Sequence, residues 1–456
     1  MTTRTAIVLF TRDLRVHDNP TLQAAADQAD HVLPLFVFDD AIAGSTYLAP
    51  NRAAFLTDSL SDLDESLRGC GSDGLVVRRG DPADEVAALA REVGASSVHL
   101  SGDWSRHAQR RLERLRNAVD GSAVDVVVHD ETLTVSPPGV VTPDKSDHFA
   151  VFTPYHRRWS DRPLRPVLGQ GPRLVSPRVR RGRIPTADTL SPGDSLARHL
   201  PVGGETAGRR RMSAWLDSSV TDYEDRHDDL PGDATSRLSP YLHFGCVSPV
   251  ELVANAGRSQ GAQAFVRQLA WRDFHLQVLA ARPDAAHTDY RDRGDRWRQD
   301  ADDLRAWQEG RTGFPIIDAA MRQLREEGWM HNRARLLVGS FLTKTLYLDW
   351  REGARHFLHH LVDGEVSNNQ LNWQWVAGTG TDSRPNRVLN PLTQADRHDP
   401  DGDYVRHYVP ELADVEGGAV HRPWRLPDEV RSRLDYPEPI VDLAEGRRRF
   451  LEARDR

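Results

Sequence analysis

The 456-residue sequence is poor in several things at once: it has two cysteines, Cys70 and Cys246, and two lysines, Lys145 and Lys344. Two thiols cannot build a disulfide framework or a four-cysteine metal centre, and they suit a reducing compartment. The longest apolar runs, such as "VLPLFVF" from Val32, are strand-sized and far short of the roughly 20 residues that cross a bilayer. The opening "MTTRTAIVLF" runs straight into a strand-like stretch, without the basic, apolar and small-residue series of an export signal. Cytoplasmic residence without a membrane span is the expectation. No GxGxxG follows the first apolar run, so the usual dinucleotide fingerprint is missing. With lysine nearly absent, arginine carries the positive charge. The net charge of −8 argues against a uniformly basic nucleic-acid coat and leaves room for a local patch.

What is present falls into two halves. With 39% hydrophobic and 28% charged residues, the chain suits two or three globular domains. The first third alternates apolar runs with helical stretches: "AIVLF" (6–10), "HVLPLFVFD" (31–39), "GLVVRRGD" (74–81), "SSVHLSGD" (96–103) and "AVDVVVHD" (123–130). Asn19-Pro20 and Asp81-Pro82 mark helix starts, and Gly94 marks a stop. Such a βαβαβ pattern predicts a doubly wound parallel sheet with helices on both faces, whose ligands sit at the carboxyl ends of its strands. From about Pro163 to Pro201 the chain is rich in Pro, Arg and Gly and reads as a long connector. Beyond it the periodicity is helical. The reading divides the chain into an α/β domain at 1–135, a connector at 136–204 and an all-helical domain at 205–456.

The helical half holds the unusual chemistry. In "FVRQLAWRDFHLQVLAA", Phe265, Leu269, Leu276 and Leu279 form a predicted buried stripe, while Gln268, Trp271, Arg272 and His275 share another face. A surface Arg stacked on Trp would explain that face as well as a binding site does. In "GWMHNRARLL", Trp329, Asn332, Arg333 and Arg335 crowd a turn and a half, and polar groups at that density in an apolar helix need partners. "DATSRLSPYLHFG" places hydroxyls and an Arg where a diphosphate could be cradled; a capping box or ST-turn fits the same residues. "NNQLNWQWVAGTGTD" sets Trp373 and Trp375 one residue apart after an Asn pair.

Read together, "FTRDLRVHDNP", "TSRLSPYLHFG", "WRDF", "WQEGRTGFPIIDAAMRQLREEGWMHNRARLL", "SFLTKTLYLDW", "NWQWVAGTGTD" and "NPLTQADRHDPDGDYVRHYVPEL" resemble the photolyase/cryptochrome flavoproteins along essentially the whole chain. The resemblance implies an α/β antenna domain joined to a helical domain that holds FAD, and a member of the class that repairs cyclobutane pyrimidine dimers. Tyr223, Thr235, Ser236, Leu238 and Ser239 match positions around the FAD phosphates and ribityl chain, and Arg272, Asn332 and Glu365 match further flavin contacts. Arg335 and Asp363 match the ion pair beside the flavin ring, where a fixed positive charge favours the reduced, anionic form. Asn369 matches the residue facing flavin N5, where Asn accompanies repair enzymes. Trp373, Trp350 and Trp297 match the family's electron-hopping chain. Trp271 and Trp375 match two walls of a lesion pocket, Gln268 and Asn332 match further substrate contacts, and Arg333 and Arg387 match groups that hold flanking phosphates.

The activity so implied is light-driven electron transfer from reduced FAD to a dimer flipped out of UV-damaged DNA, with no metal and no obligatory protein partner; a monomer is expected. The alternatives are a blue-light photoreceptor of the cryptochrome type and a (6-4) photolyase. Asn369, and the chain's end soon after "IVDLAEGRRRFLEA" where a photoreceptor would typically add a tail, favour the enzyme. Gln268 stands where most dimer-specific relatives carry Glu, and Gln at that position is shared with (6-4) enzymes; Leu336, His227 and Thr345 also depart from common family residues. Asp39, Arg52 and Asp103 resemble a second, antenna site of the deazaflavin (8-HDF) type rather than the methenyltetrahydrofolate type. Ordinary strand-end and helix-start residues would look the same.

Overall fold

The computed structural model describes residues 3–45, 47–193 and 195–454. All five expected strands form: β1 (Thr5–Phe10), β2 (His31–Asp39), β3 (Val76–Gly80), β4 (Ser97–Ser101) and β5 (Asp125–His129). They make one parallel sheet in the order β3-β2-β1-β4-β5. Thr5 pairs with His31 and Phe10 with Phe36, while Ala6 pairs with Ser97 on the other side. All six residues of β1 are buried, as expected of a central parallel strand covered on both faces. Ile7, Leu9, Leu33, Leu35, Val76 and Val98 meet Val86, Leu89 and Leu115 from the flanking helices in one apolar core.

The helix starts obey local chemistry. Asn19 accepts from the Leu22 N–H ahead of helix Pro20–Gln28, and Asp81 accepts from the Ala83 N–H ahead of helix Pro82–Val93. Gly94 closes the latter in the left-handed region, φ 60°, where a side chain would be strained. In place of a glycine-rich loop, the turn after β1 is filled by the buried Arg15, whose Nη1 donates to Gly245 O at 2.9 Å and Nη2 to Thr132 O at 2.8 Å.

Among the described residues the chain forms two compact units. One takes the residues up to Ser195 together with Pro201–Thr221 and Ser236–Pro283; the other takes Leu196–Leu200, Asp222–Thr235 and Asp284 onward. The first therefore contains the sheet and helix Gln260–Ala281. That helix is stitched to the segment after β5: Asp273 Oδ2 accepts from Val135 N, Ser136 N and Trp159 Nε1 at 3.1, 2.8 and 3.0 Å. Gln277 bonds both the N–H and the carbonyl of Phe149. The second unit packs helices Pro315–Glu327, Asn332–Ser340, Trp350–His360 and Val366–Ala377 around Trp307, Phe314, Phe341, Trp350, Phe357 and Trp373. No described helix is long and apolar enough to cross a membrane.

Candidate flavin and DNA-binding residues

In the helical unit, helix Val366–Ala377 and its approach carry Asp363, Glu365, Asn369, Trp373 and Trp375. Glu365 occupies the N-cap position without a side-chain capping bond; it is buried, and its carboxylate accepts from Asn368 Nδ2. Two residues earlier, Asp363 Oδ2 accepts from Arg335 Nη2 at 2.8 Å, and Arg335 Nε donates to Met330 O at 2.8 Å. The Asp363 side chain is 3% exposed, yet its Oδ1 has no hydrogen-bond partner. Buried carboxylate oxygens are rarely left unbonded, so this atom marks a place for a donor from outside the chain. Asn369, one turn into the helix, spends its Nδ2 hydrogens on Ala354 O at 3.0 Å and Gln370 Oε1 at 2.9 Å. That leaves its side-chain carbonyl as the group able to accept from a ring N–H.

The three indoles expected of an electron relay lie in or against the apolar core of this unit. Trp373 is 4% and Trp350 0% exposed within one apolar cluster, and the half-buried Trp297 packs against it. Trp350 Nε1 donates to Asp289 at 2.9 Å, which places a carboxylate beside an indole that would carry transient positive charge. Trp373 also meets Trp307 edge-on, ring centres 6.0 Å apart. On the same helix, Trp375 is half-buried, and the Arg387 guanidinium lies over its ring at 5.7 Å. Arg333 is held by Asp228, with Nε to Oδ1 at 3.0 Å. Burial disfavours the Asp228 anion, but the Arg333 bond and charge hold its pKa below the usual carboxylate value. Asn332, at the start of helix Asn332–Ser340, is exposed, and its cap is His331, whose Nδ1 accepts from Arg333 N at 3.1 Å.

Tyr223 and Thr235 belong to this unit as well. Tyr223 stacks obliquely on His227, ring centres 5.3 Å apart, and burial followed by Asp228 raises its hydroxyl pKa. Thr235 Oγ1 is a second buried polar atom without a partner.

The sheet-containing unit carries the rest. Ser236 Oγ accepts from Leu238 N at 3.3 Å, a local turn bond, while Arg237 between them sits at φ 48°. Leu238 is buried, and Ser239 is exposed at the first turn of the short helix Ser239–His243. Along helix Gln260–Ala281 the polar face grades inward: Gln268 is exposed, Trp271 half-buried, and Arg272 and His275 buried. Phe265, Leu269, Leu276 and Leu279 are all buried, as their stripe predicts. Arg272 Nη1 donates to Leu133 O at 2.6 Å. One face of Trp271 lies flat on Phe152, ring centres 3.7 Å apart and 5° from parallel, and the Arg267 guanidinium lies over the Phe152 ring at 4.9 Å. Phe152, Asp228 and Trp307 were not singled out from the sequence. Their link to Trp271, Arg333 and Trp373 is entirely long-range.

At the carboxyl end of the sheet, Asp39 Oδ1 caps Ala41 N at 2.9 Å and Oδ2 meets His107 Nε2 at 2.9 Å. Asp103 accepts from Ser105 N at 2.9 Å and pairs with Arg12 Nε at 3.2 Å. Burial works against the Asp103 anion, but Arg12 and Arg111 keep its pKa low. The buried Arg111 interacts with both Asp103 and Asp39, so these two acids share one charge network beside the point where strand order reverses. Arg52 is buried on helix Pro50–Gly69, with Nε donating to Tyr47 O at 2.8 Å and its guanidinium over the Tyr47 ring at 4.9 Å.

A parallel α/β sheet, and a helical bundle with buried indoles, an acid–arginine pair and unfilled polar atoms, agree with the two-part flavoprotein that the resemblance implies. Residues 6–172 match the family model described as DNA photolyase, and residues 265–456 match that of the FAD binding domain of DNA photolyase. The chain is 59% identical to the deoxyribodipyrimidine photo-lyase of Streptomyces griseus, over 98% of this chain and 99% of that protein. Its structure is similar to a class III photolyase from Agrobacterium tumefaciens (TM-score 0.90, 30% identity, 99% of this chain and 97% of that one) and to a Synechocystis cryptochrome (TM-score 0.88, 27% identity, 99% and 100%). The chain belongs to the photolyase/cryptochrome family, and its cofactor is FAD.

Proposed function

We propose that this protein is a deoxyribodipyrimidine photo-lyase that splits cyclobutane pyrimidine dimers in UV-damaged DNA. The observation that carries the reading is the Asp363 carboxylate: one oxygen is fixed by Arg335, and the other is buried and unbonded on the approach to Asn369, Trp373 and Trp375. A flavin fits these residues. Asp363 Oδ1 and the Asn369 carbonyl would accept from its ring N–H groups, and the Arg335 guanidinium would favour a reduced, anionic ring. Thr235 Oγ1, Ser236, Leu238, Ser239, Tyr223, Arg272, Glu365 and Asn332 would hold the remainder. Bound FAD would supply the light-excited electron that opens the cyclobutane ring and takes it back.

The chain's own residues do the rest. Trp297, half-buried, and Trp350 and Trp373, both buried, would pass the electron, and Asp289 would stabilise positive charge at Trp350. Trp271 and Trp375 each offer an indole face to an extruded base, worth roughly 1–3 kcal/mol, and Gln268, able to donate and accept, reads its edge. Arg387 and Arg333 meet flanking phosphates, the latter by exchanging Asp228 for phosphate oxygen. In this reading residues 1–135 form the antenna domain, 136–204 the connector and 205–456 the catalytic domain. Asp39, Arg52 and Asp103 would receive a deazaflavin. The protein works as a cytosolic monomer on DNA. The test is chromatographic: illuminated, reduced holoprotein should convert thymine cyclobutane dimers to thymines and leave (6-4) products untouched, and conversion of only the latter would reassign the lesion.

A further inference from the structure

One of the chain's two lysines is buried at a bend. Lys344 lies in the π-helical turn Phe341–Thr345 that follows helix Asn332–Ser340, and it is 2% exposed. Its Nζ donates to the main-chain carbonyls of Pro385 at 2.7 Å and Arg387 at 2.8 Å, and stands 5.4 Å from the Phe450 ring centre. One turn earlier, Ser340 Oγ accepts from the Leu389 N–H at 3.1 Å. The loop 385–389 is therefore tied at three points to one helix end. It carries the Arg387 side chain, itself exposed, whose guanidinium lies over Trp375. Burying an ammonium is costly unless its bonds are well made, and π-turns concentrate at functional sites.

We propose that Lys344 is a positioning residue for binding of the damaged strand: by holding the Pro385 and Arg387 carbonyls it sets the Arg387 guanidinium over the Trp375 indole. A phosphodiester is then met beside the ring on which the flipped base stacks. The proposal rests on the reading of Arg387 and Trp375 as DNA-binding residues.

The charged groups facing Lys344 are Arg387 on the loop it ties, Asp382 just before that loop, Asp295 ahead of Trp297, and Arg454 of helix Leu443–Arg454. Burial, with Arg454 and Arg387, outweighs Asp382 and Asp295 and pulls the Lys344 pKa to about 7. The charged tie is thus complete below neutrality and is lost as pH rises through that value. A neutral amine holds the carbonyls less strongly.

The experiment uses FAD-loaded wild type, K344M and K344R, binding in the dark to a duplex with one thymine dimer, across salt concentration and from about pH 6 to about pH 9. K344M should bind about tenfold more weakly, with a salt slope shallower by about 0.9, one phosphate contact. Its FAD content and light-driven flavin reduction should match wild type. K344R should recover most of the affinity and abolish the wild-type decline with rising pH. Wild-type affinity and slope in K344M would overturn the proposal. Should K344M not fold or not retain FAD, K344R decides: a pH profile as steep as wild type overturns it. Wild type that holds FAD but does not prefer the damaged duplex would overturn the DNA-binding reading, and the proposal with it.

Discussion

Gly353 lies directly against the Trp373 indole: a Cβ built at position 353 would collide with the far edge of its six-membered ring. Glycine inside a helix costs about 1 kcal/mol relative to alanine, and here it is what lets helices Trp350–His360 and Val366–Ala377 close around a buried tryptophan. Gly353→Ala should therefore destabilise the protein by roughly 1–3 kcal/mol through overpacking, instead of stabilising the helix. It should also slow light-driven flavin reduction by shifting Trp373. Chemical denaturation and flavin absorbance under illumination check the two effects separately.

The Arg335–Asp363 pair predicts a split between stability and cofactor binding. Arg335→Ala leaves a buried carboxylate without its cation and should cost about 3 kcal/mol. Asp363→Asn keeps the shape while removing the charge and one acceptor, so the apoprotein should stay folded with FAD retained at least about tenfold less tightly, about 1.4 kcal/mol. Flavin-to-protein ratio after dialysis and urea midpoints of the apoproteins distinguish these outcomes.

Asp273 accepts three hydrogen bonds while buried, and burial pushes its pKa up to about 6 despite Arg272 and those bonds. Asp273→Ala would orphan two N–H groups and the Trp159 indole N–H, at about 1 kcal/mol or more each; a loss of roughly 3 kcal/mol is expected. Asp273→Asn retains an acceptor and should lose less. Equal denaturation midpoints for the two variants would contradict the assignment.

His356 supplies the pH dependence. It meets Trp307 edge-on, ring centres 5.4 Å apart, its Nε2 is buried without a partner, and burial with His360 and His359 lowers its pKa to about 3. Unfolded imidazole titrates near 6.5, so between these values the unfolded chain binds a proton that the folded chain refuses. The contribution to stability is intact above about pH 6.5 and is lost as pH falls toward 3. His356→Phe should flatten the stability profile in that window, as read by denaturation midpoints at about pH 7 and about pH 4.5.

Local chemistry made much of this legible in the sequence. The five strands are short apolar runs, Asn19 and Asp81 cap the helices they precede, and the Phe265, Leu269, Leu276 and Leu279 stripe is buried as its period requires. The site residues were legible as types gathered in a few segments. Their partners were not. Phe152 reaches Trp271 from before the connector, Asp228 reaches Arg333 across 105 residues, and Lys344 reaches carbonyls 41 and 43 residues on. No periodicity encodes those contacts. For the same reason the packing of Ser236–Pro283 with the sheet-containing unit cannot be read from the order of elements along the chain.

Dimer repair by the FAD-bound protein can be read in a single absorbance measurement. Reduced holoprotein is mixed with oligothymidine carrying cyclobutane dimers and illuminated with near-ultraviolet to blue light, while ultraviolet absorbance of the restored thymines is followed. Recovery should require light and FAD together and should fall when Trp375→Ala removes a stacking face worth roughly 1–3 kcal/mol. No recovery from protein with a full complement of reduced FAD would contradict dimer repair.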